Sequence, residues 1–220
     1  MVNIMTVGEK AKKAKKIAEA ALGLFETKSF NDISMAEVAK KAGVAKGTLF
    51  NYYETKESIF MDLLLTGYQE YFSTLNQKIA DKGTLTITEL KQLLLEETKI
   101  LVQEHTILVR LNALREPVLE GHANMNQTLI GRKKLNEVTG QLGQTIANKT
   151  ENITPQEASR LFIIQSAIIS GLLNMTNLDE FNHQSLNQEF EAFQFNLEEE
   201  AIKAFEFYLN GFLLQKDKIE

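Results

Sequence analysis

The sequence holds very few residues that break a helix, and this limits its fold more than any other feature. Only two prolines, Pro117 and Pro155, occur in 220 residues. No stretch sustains the alternation of apolar and polar residues that a half-buried strand requires. Apolar residues instead recur at helical spacing along most of the chain. These patterns predict an all-α protein.

Composition excludes several classes of protein. The chain has no cysteine, which excludes a disulfide framework, a thiolate zinc site and a cysteine nucleophile. No basic-then-apolar leader is present, so we expect a cytoplasmic protein. The apolar run from Leu161 to Met175 is 15 residues long and contains Gln165, Ser166 and Ser170. We judge this run too short and too polar to span a bilayer, and we expect no membrane partner.

Charge is distributed unevenly along the chain. Residues 1–60 carry a net charge of +3, whereas the other 160 residues carry −8. A basic N-terminal region on an acidic remainder indicates that the first region meets a polyanion. A solvated lysine-rich helix gives the same charge pattern, so a motif has to decide between the two interpretations.

Three predicted helices near the N-terminus are joined by short turns. The first runs from about Glu9 to Lys28. The second begins at a capping box of Ser34 and Glu37 and ends at Gly43, which suits a left-handed helix exit. The third runs from about Ala45 to Tyr52. Two short helices joined by a glycine-containing turn, with a supporting helix before them, indicate a helix-turn-helix unit.

The stretch ISMAEVAKKAGVAKGTLFNYYETKESIF resembles the DNA-binding domain of the TetR family of bacterial transcriptional regulators, with a match over about residues 10–62. The resemblance implies an all-α homodimer of about nine helices, three for DNA and about six for ligand capture and dimerisation. We therefore expect a DNA-binding domain at 1–54, with the helix-turn-helix at about 35–54, and a ligand-binding and dimerisation domain at 55–220. Most such proteins repress an operon and release a palindromic operator when a small molecule binds.

The same resemblance implies a set of DNA contacts. These residues begin the second helix, form the recognition helix and its end, or begin the fourth helix: Ser34, Met35, Lys46, Gly47, Thr48, Asn51, Tyr52, Tyr53 and Lys56. We expect Lys56 to cap a phosphate. Tyr53 stands where Phe is common, and we expect its hydroxyl to replace the phosphate donor lost at Phe50, where Tyr is common.

Arginine is missing from the N-terminal region. All four arginines lie beyond residue 60, so the common bidentate contact of arginine with guanine is absent there. We predict that Lys46 reads guanine and that Thr48 and Asn51 contact bases. The excess of lysine over arginine is also typical of an A·T-rich genome. Under either explanation, no arginine of the N-terminal region is present to contact guanine.

The last two predicted helices are strongly apolar. One opens at Thr154 and Pro155 and is apolar nearly all round, and the other runs from about Gln188 to Leu214. We expect these helices to form a four-helix interface between two copies of the chain, as the resemblance also implies. The alternative is that they form only the core of a monomer.

Residues for ligand capture and catalysis are less well marked. Five residues are candidate contacts for an unknown small-molecule effector: Arg110, Arg115, Met125, Phe162 and Met175. Glu116, Glu120 and His122 are close in sequence but lack the spacing of metal ligands, so we expect no metal and no cofactor. No catalytic constellation is found, and we expect no enzymatic activity. A helical interaction module or a small enzyme with an incidental helix-turn-helix remains the alternative.

Overall fold

The computed structural model describes residues 6–176 and 196–216. Within these ranges the chain forms nine α-helices, one π-helical turn and no strand, which confirms the predicted all-α fold. The helices are α1 (Val7–Phe25), α2 (Met35–Ala42), α3 (Lys46–Phe50), α4 (Lys56–Ala80), α5 (Ile87–Glu104), α6 (Thr106–Leu114), α7 (Met125–Lys149), α8 (Pro155–Thr176) and α9 (Leu197–Lys216). The predicted start of the last helix, Gln188, lies outside the described residues.

Pro117 gives the chain an unusual turn after α6. A proline lacks the N–H that an α-helix needs at each position, and its ring clashes with the preceding turn. The backbone widens here into a π-helical turn at Arg115–Leu119, in which the Glu120 N–H donates to the Arg115 carbonyl at 2.8 Å. Before this turn, α5 and α6 are separate helices because the chain leaves helical geometry at His105.

The chain divides into two compact units. The head unit extends to Gly67 and also contains Leu114–Lys133. The body unit contains Tyr68–Ala113 and the chain from Lys134 onwards. The domain boundary expected at residue 54 stays a prediction, and the compact unit at the N-terminus takes in a segment that is distant in sequence.

The head unit is built around a cluster of aromatic rings. The Phe60 ring meets the rings of Phe25 and Phe30 edge to face, at centroid distances of 5.3 and 5.1 Å. Phe60 is fully buried, as is Leu49, the only buried residue of α3. Edge-to-face pairs of this kind add about 0.5–1.5 kcal/mol each beyond the area that they bury. The core therefore holds α3 through a single apolar side chain.

In the body unit α9 packs against α5 and α8. Two ion pairs join these helices at their edges, Lys91 with Glu206 at 2.7 Å and Glu157 with Lys216 at 2.5 Å. Several polar side chains of the body unit are buried, and among them Gln165 donates to Thr98 Oγ1 at 2.8 Å. Buried polar groups that are paired in this way fix the register of helices that apolar packing alone leaves free to slide.

Helix α8 is longer than the apolar run read from the sequence. Pro155–Met175 comprises 21 residues with a mean hydropathy of 1.3, which is enough by length and composition to cross a membrane. The expectation that this stretch is too short is therefore wrong. A core helix of a folded domain passes the same test. One face of α8 is buried in the body unit through Leu161, Phe162, Gln165 and Ile169, and 33% of the apolar stretch is buried.

Candidate nucleic-acid interface

The N-terminus of α2 is closed by a capping box, as the sequence predicts. The Ser34 hydroxyl accepts from the Glu37 N–H at 3.3 Å, and the Glu37 carboxylate accepts from the Ser34 N–H at 2.9 Å. Lys28 donates to the same carboxylate at 2.6 Å. These bonds, with that from Lys28 foremost, lower the pKa of Glu37 to about 2. The amides of Met35 and Ala36 lie in the first turn, where no earlier carbonyl can accept from them, so they are suited to an anion.

The turn between α2 and α3 depends on Gly43. Its φ of 64° lies in the left-handed region, where a side chain causes strain. The Gly43 N–H donates to the Lys40 carbonyl and the Val44 N–H to that of Ala39. Together these bonds end α2 and turn the chain directly into α3. The glycine identified from the sequence is therefore required by the backbone conformation.

The outer face of α3 is open. Lys46, Gly47 and Asn51 are exposed and Thr48 is half-buried. A side chain added at Gly47 would meet no atom within 4 Å, so another molecule can approach the backbone closely there. The Lys46 Nζ lies 6.0 Å from the centre of the Phe50 ring, which is itself partly exposed. A cation, two small polar groups and an apolar ring are thus presented on one short helix.

The helix has no side-chain cap of its own. Ala45 occupies the N-cap position of α3 and makes no side-chain hydrogen bond there. The missing hydroxyl leaves the first amides of α3 without an internal acceptor, and such amides bind phosphate readily. Alanine at this position therefore offers no side-chain contact and leaves the neighbouring backbone donors in place.

Two of the predicted DNA contacts are used inside the protein instead. Tyr53 is only 4% exposed, and its hydroxyl donates to the Asp62 carboxylate at 2.6 Å. Burial and the Asp62 charge raise the pKa of Tyr53 well above its usual range. The expectation that Tyr53 supplies a phosphate contact is corrected: it is a packing residue whose hydroxyl already has an acceptor. Tyr52 is half-buried and stays a predicted contact.

Lys56 is also turned inwards. Its Nζ donates to the Phe30 carbonyl at 2.6 Å and lies 4.0 Å from the centre of the Phe30 ring. Burial lowers the pKa of this lysine. The predicted phosphate cap would require the ammonium group to leave both of these contacts. The geometry instead supports a role in joining the start of α4 to the loop after α1.

The five candidate effector contacts are divided between the two units. Arg115 and Met125 belong to the head unit, and Met125 is 82% exposed. Arg110, Phe162 and Met175 belong to the body unit, where Phe162 is buried against Phe72. A surface depression of the body unit is lined by Thr84 and residues 147–154 and contains none of the five. These assignments stay predictions.

Glu116, Glu120 and His122, in and after the π-helical turn, are not arranged as a metal site. Glu120 pairs with Arg132, and His122 Nδ1 lies 3.4 Å from the Val118 carbonyl. Across residues 6–176 and 196–216, no three His, Cys, Asp or Glu side chains are placed to hold a metal ion.

The head unit also contains candidate functional residues that were not predicted from the sequence. Asn124 and Gln127, at the start of α7, make hydrogen bonds to Glu54 and to the Tyr52 carbonyl, next to the end of α3. These partners lie 70 and 75 residues apart in the chain. Local patterns carry no signal for a contact between such distant segments.

These features define a class of protein: a short exposed helix follows a glycine turn and a capped supporting helix, which is the geometry of a helix-turn-helix DNA-binding protein. Residues 17–63 match the family described as bacterial regulatory proteins, tetR family. This N-terminal segment is thus similar to the TetR family.

Two relatives from Bacillus subtilis (strain 168) show what this chain resembles in sequence. The fatty acid metabolism regulator protein is 27% identical over 124 residues, which are 56% of this chain and 63% of that protein. The HTH-type transcriptional regulator YuxN is 36% identical over 61 residues, which are 28% of this chain and 21% of that protein. The matches thus span less than two thirds of each relative.

Solved structures share the fold over nearly the whole chain. The fatty acid degradation regulator FadR from Bacillus halodurans has a TM-score of 0.55 at 16% identity, covering 90% of this chain and 95% of that one. FadR from Bacillus subtilis in complex with stearoyl-CoA has a TM-score of 0.50 at 16% identity, covering 89% and 96%. At this identity the likeness establishes the fold alone.

Proposed function

We propose that this chain is a sequence-specific DNA-binding repressor that acts as a homodimer on a palindromic operator and is released by a small-molecule effector. The observation that carries the proposal is the open face of α3, because its exposed side chains have the chemistry of base and phosphate recognition. The relatives are regulators, so we infer a regulatory rather than an enzymatic role, in the cytoplasm.

The proposed DNA contacts fall into two groups. Lys46, Thr48 and Asn51 are suited to base edges. The lysine ammonium group can donate to guanine, and the hydroxyl of Thr48 and the amide of Asn51 can hydrogen-bond to more than one kind of base. The amide of Met35, at the N-terminus of α2, is suited to phosphate, whereas the N–H and the hydroxyl of the predicted contact Ser34 both donate to Glu37. Gly47 and Tyr52 are suited to the sugar-phosphate backbone beside the groove. Phosphate contacts of this kind set the position of the protein, and the contacts of α3 set the sequence.

The last two helices support a homodimer. Ile163 and Met175 on α8 and Phe207 and Leu214 on α9 are large apolar residues that remain exposed, Ile163 at 63% and Phe207 at 70%. The opposite faces of both helices are buried in the body unit. A second copy would cover these side chains, and about 800 Å² per partner is enough for a stable interface. Two heads would then address half-sites about 34 Å apart or a multiple of that distance.

The relatives suggest a class of effector. One is named for fatty acid metabolism, and one solved neighbour holds stearoyl-CoA. We therefore propose a long-chain fatty acyl compound as the first effector to test, with Arg110, Arg115, Met125, Phe162 and Met175 as candidate contacts. An effector releases DNA only if it binds the DNA-free conformation more tightly than the DNA-bound one.

The test is a base-by-base scan of the operator with the Lys46→Ala variant. The operator is first selected from a random DNA pool with the purified wild-type protein. If Lys46 reads guanine, the variant loses discrimination at one position of each half-site, by about 1–3 kcal/mol. Uniform weakening at all positions would reassign Lys46 to a phosphate. Failure to select any sequence would overturn the proposed function.

A further inference from the structure

The segment that follows α3, the recognition helix, is hydrogen-bonded to the start of α7 within the head unit. The Gln127 Nε2 donates to the Tyr52 carbonyl at 2.9 Å. The Asn124 Nδ2 donates to the Glu54 carboxylate at 2.9 Å. Tyr52 and Glu54 lie two and four residues after the last residue of α3. Both side chains of α7 therefore hold the segment that leaves the recognition helix.

Two further bonds attach the same segments to each other. The Thr55 hydroxyl donates to the His122 carbonyl at 3.0 Å. The Asn124 N–H donates to the Ser58 hydroxyl at 2.8 Å. Ser58 is buried, so this bond is shielded from water. We call these two bonds, with those of Gln127 and Asn124, the α7 contact.

Asn124 has a fixed orientation because both ends of its amide group are used. Its Oδ1 accepts from the Gln127 N–H at 3.0 Å, which makes it the N-cap of α7. With Oδ1 engaged there, Nδ2 is directed at Glu54. One side chain thus begins α7 and places a donor on the segment after α3.

Close packing of α7 against α4 holds the α7 contact in place. A side chain added at Gly131 would come within 2.7 Å of Leu65 Cδ1, so only glycine allows this approach without movement of Leu65. Leu119, which precedes the contact, is fully buried. The α7 contact is therefore anchored by apolar packing on both sides of it in the sequence.

The recognition helix needs such support. It has only five residues and one buried side chain, and a helix of this length is not stable without tertiary contacts. Leu49 fixes its depth, and the buried Tyr53, bonded to Asp62, lies three residues beyond its C-terminal end. These two side chains do not fix the backbone at Tyr52 and Glu54 near that end. The α7 contact acts at that end.

We propose that Asn124 and Gln127 are positioning residues that hold the recognition helix in its DNA-reading orientation, from a segment about 70 residues beyond the helix-turn-helix. This inference rests on the proposed function. It extends the DNA-binding determinants of the chain to two residues that touch neither base nor phosphate.

The test exchanges the two partners of one bond. Asn124→Asp preserves the N-cap of α7, because Asp caps as well as Asn, but it places a carboxylate against that of Glu54. Glu54→Gln removes the repulsion and restores an amide–carboxylate bond with the roles reversed. We expect Asn124→Asp to raise the Kd for the selected operator about fivefold or more, and the double variant to return to within about twofold of the wild type.

Two more variants complete the experiment. Gln127→Ala removes the donor to the Tyr52 carbonyl and should weaken operator binding by a similar factor. Asn126→Ala changes an exposed neighbour in the same turn of α7 and serves as the matched control, with wild-type affinity expected. Binding is measured well below the unfolding temperature, with the folded fraction checked by circular dichroism. Under these conditions lower stability alone does not change the Kd.

The outcomes separate this inference from the proposed function. Wild-type affinity for Asn124→Asp, or weakened binding that Glu54→Gln does not restore, would overturn the positioning role while the wild type still binds its operator. A wild-type protein that selects no operator would overturn the proposed function and this inference with it.

Discussion

Lys56 offers the sharpest choice between a DNA contact and a structural role. The resemblance to the family assigns its ammonium group to a phosphate, whereas the structure places it on the Phe30 carbonyl and over the Phe30 ring. Replacement of Lys56 by Met removes the charge and keeps a long unbranched side chain. The substitution therefore tests the ammonium group and little else.

The expected loss of stability follows from the two contacts. A hydrogen bond from a charged group contributes about 1.5–3 kcal/mol, and a partly exposed cation over an aromatic ring contributes about 0.5–1 kcal/mol. Burial of the ammonium group, which lowers the pKa of Lys56, offsets part of this gain. We expect Lys56→Met to reduce the free energy of unfolding by about 2 kcal/mol. For 220 residues this corresponds to a fall in Tm of about 4–8 °C.

The assay measures thermal unfolding together with the salt dependence of operator binding. Each lost phosphate contact lowers the slope of log K against log salt by about 0.9. We expect Lys56→Met to lower the Tm and to leave that slope unchanged. Lys46→Ala is the matched comparison. Because Lys46 is exposed, the free energy of unfolding of this variant should differ from that of the wild type by less than about 0.5 kcal/mol. An unchanged Tm with a slope lower by about one would refute the structural role of Lys56.

Four further predictions concern separate features. Tyr53→Phe loses the hydrogen bond to Asp62 and should lower the free energy of unfolding, measured with urea, by about 1–3 kcal/mol without changing operator affinity. Weaker operator binding by the folded variant would show that Tyr53 is a DNA contact. Gly43→Ala places a side chain at φ 64° and should destabilise the protein by about 1–2 kcal/mol in the same assay, whereas wild-type stability would show that the turn relaxes. The pKa of Glu37 is lowered in the folded state, so its contribution to the free energy of unfolding is complete above the unfolded pKa near 4.5 and is lost as pH falls towards about 2. Glu37→Gln should therefore flatten the plot of unfolding free energy against pH in that window. An unaltered plot would count against the capping box. Phe207→Asp should convert a dimer into a folded monomer in sedimentation velocity, and a dimeric variant would exclude α9 from the interface.

The parts of the fold that depend on local chemistry were predictable from the sequence. The capping box at Ser34 and Glu37 and the helix exit at Gly43 follow from residues within three or four positions of each other. The break at Pro117 follows from a missing N–H. Each of these was read from a handful of neighbouring residues, because the hydrogen bonds that they satisfy are local.

The roles of Lys56 and Tyr53 were not predictable in this way. Both residues have the chemistry of a phosphate contact, and only the folded head unit shows that Phe30 and Asp62 already satisfy them. The α7 contact is a stronger case, since its partners lie 66 to 75 residues apart and share no pattern in the sequence. Long-range pairing of polar groups is decided by tertiary packing.

The central claim is that the exposed face of α3 reads DNA sequence. The most direct measurement compares the Kd for the selected operator with that for a scrambled duplex of equal length, at one fixed salt concentration, for the wild type and for a folded Lys46→Ala, Asn51→Ala double variant. We expect the wild type to prefer its operator by at least about 10³-fold, and the double variant to lose most of this preference while it keeps weak non-specific binding. Equal affinity of the wild type for both duplexes, or full preference in the double variant, would contradict the central claim.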